Sequence, residues 1–319
     1  MTETKVVSDQ AGQPRSFVCT LYEGHYHLGV GALLNSLYRS GFRGEALIGF
    51  RGKLPSWAGA GATVGIRFEL PSAPGLGLRF VKIQDRMHFT NYKPTFLLRG
   101  FEEFCLGAEV GFYFDPDILV RCGWDFFEKW VEVGVALCED MFPRMPPTHP
   151  HRAEWARHAA SAGCQARRQL EGYLNGGLVG LQREHKGFLE IWKKLLDALG
   201  PEALTRYKFG GRDHFLSSMD QDMLNATAMT SVEPISVIGP DAMGFFPGAN
   251  SLMLHAAGSP KPWRKRMLWR TLTLGRRPTM ADREFYVHTQ HPIRLFSKPA
   301  FFFRKLDLRL GCAIGRYLG

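Results

Sequence analysis

The sequence contains no long apolar stretch. No run of about 18 consecutive apolar residues occurs, so we expect no helix that spans a membrane. The first 16 residues are polar and lack the apolar centre of a secretion signal. We therefore expect a flexible N-terminus over residues 1–16 and a cytoplasmic protein.

Cysteine is also scarce, and its spacing excludes two common uses. The six cysteines are scattered along the chain, and none belongs to a C-x-x-C pair. This arrangement argues against a zinc site and against a disulfide framework. We expect reduced thiols that are mostly structural.

Acidic residues are scarce at one end of the chain. The 319 residues are 22% charged and 45% hydrophobic, which excludes a disordered chain and allows a sizeable core. Residues 261–319 hold 14 Lys and Arg against 3 Asp and Glu, a net charge of +11, whereas residues 1–260 carry −1. A nearly neutral globular part thus precedes a basic tail, and such a tail favours an anionic surface.

Predicted strands and helices alternate along the chain. Short apolar runs predict strands near residues 15–22, 46–50, 78–83, 110–114, 174–181, 235–238 and 252–255. Apolar residues at helical spacing predict helices near residues 30–41, 92–104, 124–141, 152–171, 188–199 and 220–229. This alternation is typical of one α/β domain.

An Asp-Pro-Asp sequence follows the wholly apolar strand predicted at 110–114. Asp115 and Asp117 are two residues apart, so their side chains point the same way in an extended chain. They stand at the carboxyl end of a buried strand, where open α/β sheets bind ligands. Two such carboxylates hold a divalent cation that neutralises a diphosphate, or they terminate the strand as solvated residues. The spacing alone leaves both interpretations open.

Three further segments carry less information when each is taken alone. Residues 174–178 contain two glycines, which permit the close approach of a ligand or form a tight turn. Residues 220–225 place carboxylates at a predicted helix start, where they cap the helix or grip sugar hydroxyls. Residues 255–263 offer a metal-ligating histidine, a glycine and a lysine for phosphate, although a lone histidine is usually structural.

Together and in this order, the motifs resemble those of the retaining glycosyltransferases of family 8, which have the GT-A fold. The resemblance extends from Phe17 to Trp263 as separated motifs: Thr20-Leu21-Tyr22, Phe114-Asp115-Pro116-Asp117, Leu174-Asn175-Gly176-Gly177, Asp220-Gln221-Asp222-Met223-Leu224-Asn225, and His255 through Gly258 to Lys261-Pro262-Trp263. The last two motifs are the most specific. Pro116 and Gly176 depart from the family pattern, which more often has a small residue and an alanine there.

The resemblance implies a fold and its boundaries. It implies a GT-A catalytic domain at residues 17–262, with a Rossmann-like, mostly parallel sheet and helices on both faces. Residues 263–319 would then form a basic amphipathic C-terminal tail.

The resemblance also implies roles for individual residues. Manganese, or magnesium in its place, would be held by Asp115, Asp117 and His255. Gln221 would lie beside the anomeric carbon and Asp220 near the sugar hydroxyls, as the catalytic residues. The donor would be bound by Thr20, Leu21, Tyr22, Lys93, Asn175, Gly176, Gly258 and Lys261.

The activity that this resemblance implies is transfer of a hexose from a UDP-sugar to a glycan or lipid-linked acceptor. The sequence shows no nucleophile with a paired base, which fits catalysis by positioning and charge stabilisation. Two alternatives remain at this stage. A nucleotidyltransferase of similar fold would carry a basic, Gly-rich loop after the first strand, and residues 21–29 contain no Lys or Arg. A non-catalytic nucleotide-sugar-binding protein would use the basic tail as a tether.

The tail combines bulky apolar residues with basic ones at 263–270 and 299–310. This combination is typical of interfacial helices that meet anionic lipid. We therefore expect peripheral association with the inner face of the membrane. The alternative is that residues 301–303 pack on the domain while the arginines are solvated. No nucleic-acid-binding module precedes the tail, and we expect no nucleic acid partner.

Overall fold

A computed structural model gives the structure of the chain. It describes residues 5–6, 15–59, 61–141, 145–206, 218–246 and 251–317. The flexible N-terminus predicted for residues 1–16 lies largely outside the described residues.

The strands and helices follow the predicted alternation for the most part, but the helix predicted over residues 152–171 ends at Ser161. The strands are β1 (Lys5–Val6), β2 (Ser16–Glu23), β3 (Glu45–Arg51), β4 (Arg67–Glu69), β5 (Gly77–Lys82), β6 (Val110–Phe114), β7 (Ile118–Val120), β8 (Val135–Glu139), β9 (Leu174–Gln182), β10 (Ile235–Ile238) and β11 (Met253–His255). The helices are α1 (His27–Arg39), α2 (Lys93–Arg99), α3 (Trp124–Trp130), α4 (Pro150–Ser161), α5 (Gly187–Asp197), α6 (Pro201–Leu204), α7 (Met219–Thr230), α8 (Met267–Leu274), α9 (Met280–Val287) and α10 (Lys298–Gly315).

Within the described residues, nine strands form one sheet in the order β1-β4-β5-β3-β2-β6-β9-β8-β10. The four strands β5, β3, β2 and β6 are parallel, whereas β9 runs antiparallel to both β6 and β8. The sheet is therefore more mixed than the mostly parallel sheet predicted.

Helices cover both faces of this sheet, so its central strands are apolar on both sides. In β2, Phe17, Cys19 and Leu21 belong to one core cluster, and Val18 and Tyr22 belong to the other. This double burial explains why the central strands read as continuous apolar runs.

The helix predicted over residues 124–141 is wrong in its second half. Helix α3 ends at Trp130, and the following apolar residues form β8, parallel to β10. Gly134 separates the two elements with φ +145°, and a Cβ there would lie 2.7 Å from the carbonyl oxygen of Pro234. Because of this turn, Asp140 directly follows a strand that ends at the same edge of the sheet as β10.

The C-terminal residues pack against the sheet domain through α8, α9 and α10. A third core cluster joins Ala32 of α1 and Leu119 of β7 to Trp263, which precedes α8, and to residues of the C-terminal helices, among them Phe285 and Leu308. No helix of the described residues is both long and apolar enough to cross a bilayer.

Polar contacts fasten the same region. The Asn35 side chain donates to the carbonyl oxygens of His288 and Ile293 at 2.7 and 2.8 Å, and it accepts from the Ile293 N–H at 2.7 Å. Phe301 is partly buried against the third cluster, whereas Phe302 and Phe303 are exposed. Of the three residues 301–303 that were considered for packing on the domain, Phe301 alone is packed there.

Candidate active site

The carboxyl ends of β2 and β6 open into a cavity of about 780 Å³. The Asp-Pro-Asp sequence begins where β6 ends. The Asp115 N–H donates to the carbonyl oxygen of Gly177 on β9 at 2.8 Å, and the Ile118 N–H donates back to the Asp115 carbonyl at 3.1 Å. This tight turn directs the chain from β6 into β7 and holds the two aspartates at the cavity wall.

A short ladder brings His255 to the aspartates. Strands β7 and β11 are antiparallel, with His255 opposite Ile118, and the Ala256 N–H donates to the Asp117 carbonyl at 2.9 Å. His255 Nε2 consequently lies 3.5 Å from Asp117 Oδ1 and 4.0 Å from Asp115 Oδ2. Candidate ligand atoms of these three side chains all lie within 4.8 Å of one another.

This set of side chains fits a divalent cation. Carboxylate oxygens are ligands for magnesium, calcium and manganese, and imidazole ligates several divalent metals. His255 Nδ1 is buried and has no hydrogen-bond partner among the described residues. The other ring nitrogen, Nε2, faces both aspartates and is the atom placed to ligate a cation together with them.

Lys93 is buried between the carboxylates of Asp115 and Asp220. Its Nζ lies 3.1 Å from Asp115 Oδ1 and 2.9 Å from Asp220 Oδ2, and it donates to the Gly176 carbonyl at 2.9 Å. Burial acts to lower the pKa of Lys93, but the two carboxylates more than offset it, so the pKa lies above its ordinary value. Lys93 is a permanent positive charge between Asp115 and Asp220.

Lys261 provides a second positive charge, beside Asp117. Its Nζ lies 2.5 Å from Asp117 Oδ2 and donates to the Ala256 carbonyl at 3.1 Å. Burial acts to raise the pKa of Asp117, but His255 and Lys261 more than offset it, so the pKa lies below its ordinary value. Asp117 is therefore held as a carboxylate, the form that ligates a cation.

The Gln221 amide is fixed at both ends. Its Oε1 accepts from the Gly176 N–H at 2.9 Å, and its Nε2 donates to Asp140 Oδ2 at 2.8 Å. The same Asp140 oxygen accepts from Asn175 Nδ2 at 2.6 Å. Asp140 is buried at 7% exposure and thus sets the orientation of two predicted site residues.

The sequence prediction missed Asp140 because it assigned this residue to the end of a helix. The available signal was the short apolar run at residues 135–138, followed by an acidic pair and then by prolines. A strand assignment would have placed Asp140 at the carboxyl edge, next to the other candidate residues.

The residues of the motif at 220–225, in α7, have two different roles. The motif's first two residues line the cavity. Asp222 instead accepts from the Tyr173 hydroxyl at 2.6 Å, and Asn225 bonds both the N–H and the carbonyl of Leu174, at 2.9 and 3.0 Å. The second half of the motif therefore attaches α7 to β9.

The structure brings most of the predicted site residues to the one cavity. Its lining includes Leu21, Tyr22, Lys93, Asp115, Asp117, Asn175, Asp220, Gln221, His255, Gly258 and Lys261. Thr20 is buried outside the lining, and its hydroxyl has no partner within the described ranges. Gly176 is not in the lining but contacts Lys93 and Gln221 through its backbone.

Comparison with known proteins gives structural matches alone. No protein-family model and no curated protein sequence matches the chain. Among solved structures, the galactosyltransferase LgtC in complex with donor and acceptor sugar analogues has a TM-score of 0.52 at 14% identity, over 90% of this chain and 99% of LgtC. The bifunctional glycosyltransferase WbbM in its apo form has a TM-score of 0.50 at 13% identity, over 95% of this chain. The chain spans about half of WbbM, 54% of its length.

These likenesses define the fold. The mixed sheet covered by helices on both faces is that of the GT-A glycosyltransferases. The predicted fold class is thereby confirmed, and the Asp115, Asp117 and His255 cluster lies at the carboxyl edge of that sheet.

Proposed function

We propose that the chain is a metal-dependent, retaining glycosyltransferase of family 8. It transfers a hexose from a UDP-sugar to a glycan or lipid-linked acceptor. The observation that carries this proposal is the convergence of Asp115, Asp117 and His255, with ligand atoms within 4.8 Å, beside the fixed amide of Gln221. LgtC, which has this fold, was solved with donor and acceptor sugar analogues, which supports a shared cavity for both substrates.

The dimensions and charges of the cavity suit a nucleotide sugar. Its volume of about 780 Å³ lies within the range of small-molecule sites. A manganese or magnesium ion on Asp115, Asp117 and His255 would neutralise the diphosphate and stabilise UDP as a leaving group. Lys261, at the edge of the same cluster, would donate to a phosphate oxygen.

The remaining residues position the sugar and the acceptor. Lys93 holds Asp220 in place, and Asp220 and Asn175 face the cavity where sugar hydroxyls would bind. Gln221 stands beside the anomeric carbon with its amide already oriented by Asp140. The acceptor hydroxyl attacks on the face that UDP leaves, and its proton passes to a phosphate oxygen of UDP. These residues then act by positioning and charge stabilisation.

We also propose that the protein works at the inner face of the membrane. The +11 charge of residues 261–319 favours an anionic surface, and such a surface would present a lipid-linked acceptor.

A screen of UDP-sugars for UDP release tests the proposed activity. We expect one UDP-sugar to release UDP with manganese present, and we expect release to stop when a chelator is added. Binding of UDP without release from any UDP-sugar, with glycan and lipid-linked acceptors present, would instead favour the non-catalytic binding protein.

A further inference from the structure

Helices α8 and α10 expose large apolar side chains on their outer surface. Phe302 and Phe303 of α10 are 61% and 67% exposed, and Trp269 and Leu272 of α8 are 54% and 58% exposed. The two helices are joined, because the Asp307 carboxylate accepts from the first N–H groups of α8 at 2.7 and 3.1 Å. The exposed residues therefore lie on two helices that are held against each other. A clustered apolar surface of this kind marks a contact site.

The outer side of α10 has two adjoining stripes. Phe302, Leu306 and Leu310 are four residues apart and follow one another along the helix, with all three exposed. Lys298, Lys305, Arg309 and Arg316 form the neighbouring stripe by their spacing. Leu308, Gly311 and Gly315 are buried on the inner side. The residues of both stripes are exposed, and Lys305 of the basic stripe lies over the Phe301 ring.

A cavity of about 340 Å³ lies between the end of α8 and the start of α9. Lys265, at its wall, is paired with Asp282 at 2.6 Å. Arg270, Arg276 and Arg277 also line the cavity, and no ion pair or side-chain hydrogen bond engages their guanidinium groups within the described residues. Three unpaired like charges repel one another, and an anion among them removes that repulsion. A guanidinium group can donate two parallel hydrogen bonds to two oxygens of one phosphate, so phosphate is the anion that fits these arginines.

We infer that α8 and α10 bind an anionic phospholipid bilayer, with a lipid phosphate held in the cavity of Arg270, Arg276 and Arg277. The apolar residues Trp269, Leu272, Phe302, Phe303, Leu306 and Leu310 enter the boundary between headgroups and acyl chains. A soluble polyanion would neutralise the charges of the three arginines but would leave the apolar stripe exposed to water. The bilayer satisfies both features, which decides between the two partners. This inference deepens the proposed membrane association and does not depend on the donor site.

Vesicle sedimentation with the full chain tests the inference. We expect binding to vesicles of phosphatidylcholine mixed with phosphatidylglycerol, and no binding to phosphatidylcholine alone. Salt should weaken this binding without abolishing it, because the apolar part is not screened. Replacing Arg276→Gln together with Arg277→Gln should weaken binding about thirtyfold, which corresponds to about 2 kcal/mol.

A matched variant controls for the loss of charge alone. Arg167→Gln with Lys194→Gln removes the same charge from exposed positions outside the C-terminal helices, and it should bind vesicles like the wild type. Phe302→Ser with Phe303→Ser should remove the part of the binding that resists salt. Both residues are exposed, so the fold does not depend on them.

Two results would overturn the inference. One is equal vesicle binding by the Arg276, Arg277 variant and its control. The other is binding of inorganic phosphate at the arginines, measured by calorimetry, without any binding to anionic vesicles, which would assign the cavity to free phosphate. UDP binding measured on the same samples reports the donor site separately, so failure of the two proposals is distinguishable.

Discussion

Single residues in the candidate site hold one another in position. Asp140 accepts hydrogen bonds from Asn175 and Gln221 through one oxygen, and Gln221 is fixed at its other end by the Gly176 N–H. An amide oriented before the substrate arrives does not have to be ordered during the reaction. Asp140 is therefore a positioning residue in the proposed mechanism.

Replacing Asp140→Ala should lower kcat at least about tenfold, since the hydrogen bonds to a charged acceptor are each worth about 1.5–3 kcal/mol. The affinity for UDP should stay within about twofold, because Asp140 does not belong to the cation cluster. Steady-state kinetics with calorimetry of UDP binding measures both quantities. Asp140→Asn keeps an acceptor oxygen and should retain more of the kcat. Equal kcat in the wild type and Asp140→Ala would contradict the positioning role.

At the scale of elements, the local sequence predicts the strands and helices whose position is determined by their own pattern of apolar side chains. Strands β2, β6 and β9 and helix α7 lie close to their predicted places, because their apolar runs are buried where they stand. Strand β8 was missed because Phe127, Trp130 and Leu137 imitate helical spacing. Gly134, in the turn between α3 and β8, lies so close to the backbone of Pro234, about a hundred residues further along the chain, that a side chain would not fit there. A local pattern does not contain such a contact.

The same distinction applies to the candidate site. The motifs and their order identified Asp115, Asp117, Gln221 and Lys261, all of which line one cavity. The position of His255 depends on the pairing of β7 with β11, which joins distant parts of the chain. Its role was inferred from a family resemblance, and sequence spacing alone gave no distance between it and the aspartates.

The close approach of β9 to β11 gives a prediction at this scale. A Cβ on Gly177 would lie 2.8 Å from His255 Cε1 and 2.8 Å from Asn175 Oδ1. Gly177→Ala should displace His255 and weaken manganese binding at least about tenfold, or ~1.4 kcal/mol. Gly239→Ala is the control, since its nearest neighbour is the movable Asp241 carboxylate. Calorimetric titration with manganese measures the effect, and equal affinity in the two variants would refute it.

The whole molecule is one sheet domain onto which the C-terminal helices are fastened. Asn35, fully buried in α1, bonds backbone groups of residues 288 and 293. A chain cut after Gly275 would lose these partners together with α9 and α10. Truncation would therefore disturb the fold, and single substitutions are the cleaner test of membrane binding.

Replacing Asn35→Ala should lower the free energy of unfolding by about 2 kcal/mol or more, because it leaves buried backbone groups without partners. Ser40→Ala, in the turn after α1, removes a half-exposed hydroxyl and should change it by less than about 0.5 kcal/mol. Urea denaturation followed by circular dichroism measures both values. Similar stability of the two variants would show that the hydrogen bonds of Asn35 contribute little to the free energy of unfolding.

Calorimetry of UDP binding with and without manganese tests the central claim most directly. In the wild type we expect manganese to tighten UDP binding at least about tenfold, ~1.4 kcal/mol, because the cation offsets repulsion between the diphosphate and the carboxylates. Asp117→Asn should lose this dependence while it keeps a cooperative thermal unfolding transition, and His255→Gln should do the same if the first variant is poorly folded. Equal UDP affinity of the wild type with and without manganese would contradict the proposed cation site.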